Sequence, residues 1–105
     1  MRVSRGGLMA IIFYIPGPLR EHTDGRSQVE IDVEIDADSG TLREVLAGLW
    51  QKYPGLRDRI VTEQGDVRQH VNIFVNEENM RDCGGFAATV GHGATITIVP
   101  AVSGG

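Results

Sequence analysis

From position 29 to 36 the chain alternates without a break. Val29, Ile31, Val33 and Ile35 are apolar, and Glu30, Asp32, Glu34 and Asp36 are acidic. A period of two sends successive side chains to opposite faces of a strand. This segment therefore needs one face against a core and one face in water. The acidic row reads as charge that keeps an exposed edge strand from pairing with other chains. A docking face for a basic partner is the alternative.

The rest of the chain supplies what such a strand packs against. Residues 10–15 (A-I-I-F-Y-I) are a compact run of β-branched and aromatic residues, the composition of a buried strand, broken by Pro16-Gly17-Pro18. A polar turn over 20–25 and the 16–28 connection predict a hairpin with the acidic strand. Thr41 and Glu44 stand three apart, a capping-box signature. Behind them Leu42, Val45, Leu46, Leu49, Trp50 and Tyr53 recur at helical spacing, with Arg43, Gln51 and Lys52 on the other side. That stripe reads as core rather than as a cofactor box. Pro54-Gly55 ends the helix. Leu56, Ile60 and Val61 suggest a further turn of helix, and Gln64-Gly65-Asp66 a reversal.

Residues 70–75 (H-V-N-I-F-V) predict a third strand, with Val71, Ile73 and Val75 on one face and Asn72, Phe74 and Asn76 on the other. An aromatic on a polar face can anchor a partner, which makes Phe74 a candidate contact; a lone exposed aromatic is also ordinary. A turn over 76–79 and a brief strand at Met80-Arg81 follow. In the last strand Ile96 and Ile98 alternate with Thr95 and Thr97, and Pro100, having no N–H, ends the ladder. This order predicts an α+β domain: a mixed sheet of four to five strands covered on one face by one main helix. Its apolar first and last strands lie side by side at the centre, a β-grasp, ubiquitin-like arrangement.

Composition narrows the chemistry. One domain fits 105 residues. A net charge of −4 without a basic stripe argues against nucleic acid and anionic membrane as partners. The single cysteine, Cys83, excludes an internal disulfide, a cysteine-held iron–sulfur cluster and a cysteine-rich zinc site, and suits a reducing cytoplasm. Cys83 itself reads as structural or incidental. Arg2 and Arg5 before the apolar run at 8–15 imitate a signal peptide, yet no small-residue cleavage site follows and the run is too short to span a membrane. Residues 1–8 are expected to form a flexible extension, with the domain over 9–102. His22, His70 and His92 are scattered without metal-ligand spacing, and no phosphate-binding loop or nucleophile elbow occurs. No internal active site, metal or bound cofactor is expected.

Weight then shifts to the last residues. Beyond Pro100 the chain reads Ala-Val-Ser-Gly-Gly, a slim segment ending in a carboxylate at Gly105. Residues 103–105 are expected to be a mobile tail. A frayed terminus explains it. So does a reactive carboxylate that must be threaded into an activating enzyme, because glycine allows close backbone approach.

The motifs upstream bear on that choice. Asn72-Ile-Phe-Val-Asn76, Arg81, Gly84-Gly85 and the run from Gly93 to Gly105 resemble the ubiquitin-like sulfur carriers of the MoaD/ThiS superfamily. The segment V-N-I-F-V-N-E-E and the ending V-P-A-V-S-G-G look most like the CysO type of cysteine synthesis. The resemblance covers about residues 9–105. It implies a carrier rather than an enzyme. An ATP-dependent adenylating enzyme would activate the Gly105 carboxylate, and a sulfur donor would displace AMP to leave a thiocarboxylate. That group would attack an acceptor held by a cysteine-synthase-like pyridoxal-phosphate enzyme, with a zinc-dependent protease releasing the product. The carrier would bind no cofactor; ATP belongs to the activating enzyme. Alternatives within the resemblance are the small subunit of molybdopterin synthase, with the large subunit as partner, and a ubiquitin-like protein modifier. On this basis Gly105 carries the sulfur, Gly104 and Ser103 give the tail its narrow profile, and Phe74 is a partner contact. The extension at 1–8 departs from the family pattern.

Overall fold

The computed structural model describes residues 7–35 and 39–100. Its strands and helices are β1 (Gly7–Tyr14), β2 (Gln28–Ile35), β3 (Ser39–Thr41), α1 (Leu42–Lys52), α2 (Pro54–Ile60), β4 (Val71–Val75), β5 (Glu78–Asn79), β6 (Thr89–Gly91) and β7 (Thr95–Pro100). The main sheet has five strands in the order β2-β1-β7-β4-β5, and β3 pairs with β6 in a separate two-stranded sheet. The expected mixed sheet is present, with the first and last strands adjacent at its centre. β1 and β7 run parallel, with Phe13 opposite Ile96 and Tyr14 opposite Thr97. β2 joins β1 antiparallel, and β4 joins β7 antiparallel with Ile73 opposite Ile98.

The acidic alternation folds as its pattern requires. Val29, Ile31, Val33 and Ile35 are buried, while Glu30, Asp32 and Glu34 are exposed. β2 is an edge of the sheet, which is the place where a row of like charges discourages pairing with another chain. Asp36 lies outside the described residues.

α1 begins where the capping box predicts. The Thr41 hydroxyl accepts from the Glu44 amide at 3.2 Å, and the Thr41 amide donates to Glu44 Oε1 at 2.8 Å. Leu42, Val45, Leu46 and Leu49 are buried against the sheet; Trp50 and Tyr53 pack at its margin, partly exposed. Gly48 lets the helix approach β2 closely, since a Cβ there would sit 3.0 Å from a Val33 methyl. Pro54 both follows the end of α1 and opens α2, because a first-turn position needs no N–H.

Four expectations are corrected. β1 starts at Gly7, so the strand takes in the last two residues of the expected 1–8 extension and ends at Tyr14, with Ile15 buried just beyond it. The polar turn over 20–25 belongs to a 3-10 helix, Gly17–Thr23. Thr23 is fully buried there, and its hydroxyl donates to the Arg26 carbonyl at 2.8 Å. The brief strand lies at Glu78–Asn79 rather than Met80-Arg81. Met80 is instead buried in the 3-10 turn Met80–Asp82, capped by the Asn79 side chain. Finally, β3 and β6 were not expected as a pair; Thr89–Gly91 is too short to show a period.

Candidate functional site

Ser103, Gly104 and Gly105 lie outside the described residues. The structure shows how the strand that leads to them is held. β7 lies between β1 and β4, and its last pair sets Pro100 opposite Val71. Pro100 is the last residue of β7 and of the described residues, so the expected end of the ladder there lies at their boundary.

A side chain ties the start of this strand, and another braces the neighbouring β4 beside its far end. At its start, Asn76 adopts a left-handed conformation (φ 56°), which asparagine tolerates better than most residues. Its amide donates to the Thr95 carbonyl at 2.7 Å, and its side-chain oxygen accepts from the Thr95 amide at 3.1 Å. At the far end, Arg81 reaches back to the beginning of β4. It donates to Asn72 Oδ1 at 2.8 Å and to the Val71 carbonyl at 3.3 Å. Asn79 donates to the same Asn72 oxygen at 3.4 Å. Arg81 thus orders the residue pair across from Val99 and Pro100. In the motif Asn72…Asn76…Arg81, Asn76 holds the start of β7, while Asn72 and Arg81 order the β4 residues that pair with its end.

The sheet face turned away from α1 is the second part of the site. Tyr14, Thr97 and Phe74 form one row across β1, β7 and β4. Strand spacing sets Tyr14 and Phe74 about 10 Å apart. Tyr14 is 42% exposed and Val99, two residues further along β7 from Thr97, is 39% exposed. Phe74 is half-buried between Thr97 and Asn79, not the freely exposed aromatic that its polar neighbours suggest. Cross-strand neighbours cover the ring's flanks.

Tyr14 and Val99 escaped the sequence reading. Tyr14 sits in an uninterrupted apolar run, which hides alternation. The available signal was that Ile11, Phe13 and Ile15 share a parity, which turns Tyr14 outward. Val99 was masked by the proline after it. Among the described residues no three His, Cys, Asp or Glu side chains converge as a metal site, and no helix is long and apolar enough to cross a membrane.

A mixed sheet with parallel first and last strands at its centre, a helix across one face and a terminal strand running to the C-terminus defines the ubiquitin-like β-grasp class. The ThiS family model matches residues 13–105. The chain therefore belongs to the ThiS family, among sulfur carriers of the ThiS, MoaD and CysO type. It is 36% identical over 99 residues to the sulfur carrier protein CysO of Mycobacterium tuberculosis, covering 92% of this chain and all of that protein. It superposes on a chain of the Amycolatopsis orientalis BexX/CysO complex with a TM-score of 0.77 at 35% identity, covering 90% of this chain and 99% of that one. It is also 34% identical over 68 residues to small archaeal modifier protein 3 of Haloferax volcanii, covering 65% of this chain and 73% of that protein.

Proposed function

We propose that the Gly105 carboxylate is the working group of a sulfur carrier for cysteine synthesis. The carboxylate attacks the α-phosphate of ATP on an activating enzyme, releasing pyrophosphate and forming an acyl adenylate. Sulfide, or an enzyme persulfide with a reducing thiol, displaces AMP and leaves a C-terminal thiocarboxylate. The sulfur then adds to an aminoacrylate held by a pyridoxal-phosphate synthase. The resulting thioester rearranges to an amide through the cysteinyl nitrogen, and a zinc-dependent protease hydrolyses that amide. The chain acts as a protein co-substrate in a reducing cytoplasm, and the chemistry belongs to its partners.

One observation carries this reading: the family match extends through Gly105, and a central strand of the fold reaches Pro100, five residues before it. A strand held at its start by Asn76 and paired along its length with β4 is a base from which a narrow segment enters another protein's site. The Tyr14–Thr97–Phe74 row and Val99 adjoin that base and supply apolar surface on which the activating enzyme docks. A CysO relative crystallised in complex with BexX supports protein partners of this kind.

The test is intact-mass spectrometry after incubation with ATP, the activating enzyme and a sulfide donor. One terminal oxygen should be replaced by sulfur. Removal of Gly104 and Gly105 should abolish the exchange while the thermal unfolding midpoint stays within about 2 °C. Failure of the exchange with an enzyme that activates a CysO carrier would sink the proposal. The similarity to an archaeal modifier favours a second reading, conjugation to protein amines. Isopeptide-linked Gly105 on other proteins in cell extract would select it.

A further inference from the structure

A cavity of about 280 Å³ opens beside the end of β7. Leu19, Val71 and Ile98 give it an apolar lining, and Pro100 forms part of its wall. Arg59 of α2 and His70, just before β4, stand at its mouth and are exposed. His22 and Glu21 complete the rim, with His22 Nε2 3.4 Å from Glu21 Oε2. α2 closes over this corner at Gly55, where a Cβ would sit 2.9 Å from the His22 ring. Among the described residues no hydrogen bond or ion pair engages the Arg59 guanidinium. A free cation over an apolar cavity contrasts with a chain of net charge −4 whose acidic row lies on β2, at an edge of the sheet.

The length of the tail decides what meets this cavity. Five residues follow Pro100, and fully extended they span at most about 17 Å. A partner that takes the terminal carboxylate into an enclosed site must therefore bring its own surface close to Pro100. The cavity shares Pro100 as a wall, so it lies inside that contact. Its chemistry then specifies the side chain opposite. An aliphatic group fills the Leu19–Val71–Ile98 lining, and a carboxylate beside it meets Arg59, with His70 as a second donor.

We propose that this cavity receives an acidic side chain, carried next to an aliphatic one, from the rim of the activating enzyme's tail channel. The inference rests on the reading of Gly105 as that enzyme's substrate. It adds a polar contact on the helix-covered side of the tail base, distinct from the apolar row on the open side.

Steady-state adenylation of the full chain tests it, with pyrophosphate release as the readout. Arg59→Glu should raise the KM for the carrier about tenfold while kcat stays within about twofold. Arg59→Gln should fall between it and the unaltered chain. Arg57→Glu makes the same charge change on the same helix but away from the cavity, and should leave both constants within about twofold. Added salt should raise the KM of the unaltered chain and have less effect on Arg59→Glu. Equal KM values for Arg59→Glu and Arg57→Glu overturn the inference and leave the carrier reading standing. No adenylation of the unaltered chain removes the carrier reading and the inference together. In the enzyme-free protein, amide resonances of Leu19 and Val71 should not move when residues 101–105 are removed. A large movement would mean that the chain's own tail fills the cavity, and would overturn the partner assignment.

Discussion

Phe13 and Tyr14 are consecutive aromatics in one strand, and the pleat gives them different tasks. Phe13 is fully buried in the core, whereas Tyr14 stays 42% exposed on the opposite face. The covered face is apolar on every strand that reaches it: Ile11 and Phe13 on β1, Ile31 on β2, Ile73 on β4 and Ile96 on β7, all within the same core. The open face mixes Tyr14, Thr97, Phe74 and Asn72, with side chains that fill no interior. A protein this small has one core to hold it together. The surface proposed for recognition lies on the other parity of the same strands, so contact there leaves that core closed.

The contrast can be broken by substitution. Phe13→Ala should cost the most, about 3–5 kcal/mol, because removing a fully buried ring leaves a cavity in the core. Chemical denaturation should show it as a lowered midpoint at an unchanged slope. Phe74→Ala tests the boundary between the faces. Its half-buried ring packs on neighbouring strands, so about 1–2 kcal/mol is expected; a loss as large as that of Phe13→Ala would mean that the open face carries structural weight. Tyr14→Ala should change stability least, within about 0.5 kcal/mol. It should nonetheless weaken binding to the activating enzyme, measured by calorimetry. Unchanged binding would confine the partner contact to the tail and its base.

How much of this was legible in the sequence follows from the physics of each segment. β2 was readable because one face is apolar and the other charged, so its alternation survives in the residue types. α1 was readable from Thr41, Glu44 and the stripe behind them. β1 was placed but its inner and outer residues were not separated, because a central strand flanked on both sides keeps apolar residues on its outer face too. Glu78–Asn79 and Thr89–Gly91 were missed or displaced because strands of two or three residues have no period to detect. Asn76 and Arg81 stood out as motif residues, but their purpose required the fold: one accepts a left-handed turn and the other crosses to Val71. The cavity at the tail base joins residues from 18 to 100, a convergence that no local pattern announces. Gly104-Gly105 was the opposite case, legible as a terminus and meaningful only through its relatives.

The central position of β7 has a mechanical consequence. A protein that draws in the terminus, as proposed for Gly105, loads this strand, which is paired with β1 over residues 95–97 and with β4 over residues 96–100. Tension directed along a ladder loads its bonds together in shear, whereas tension across an edge peels them one at a time. Traction on the tail therefore passes first through the β4 ladder at residues 98–100 and then into the doubly paired residues Ile96 and Thr97. On the proposed reading of Gly105, that doubly paired segment is then the anchor that holds the domain together while the terminus is drawn into a partner.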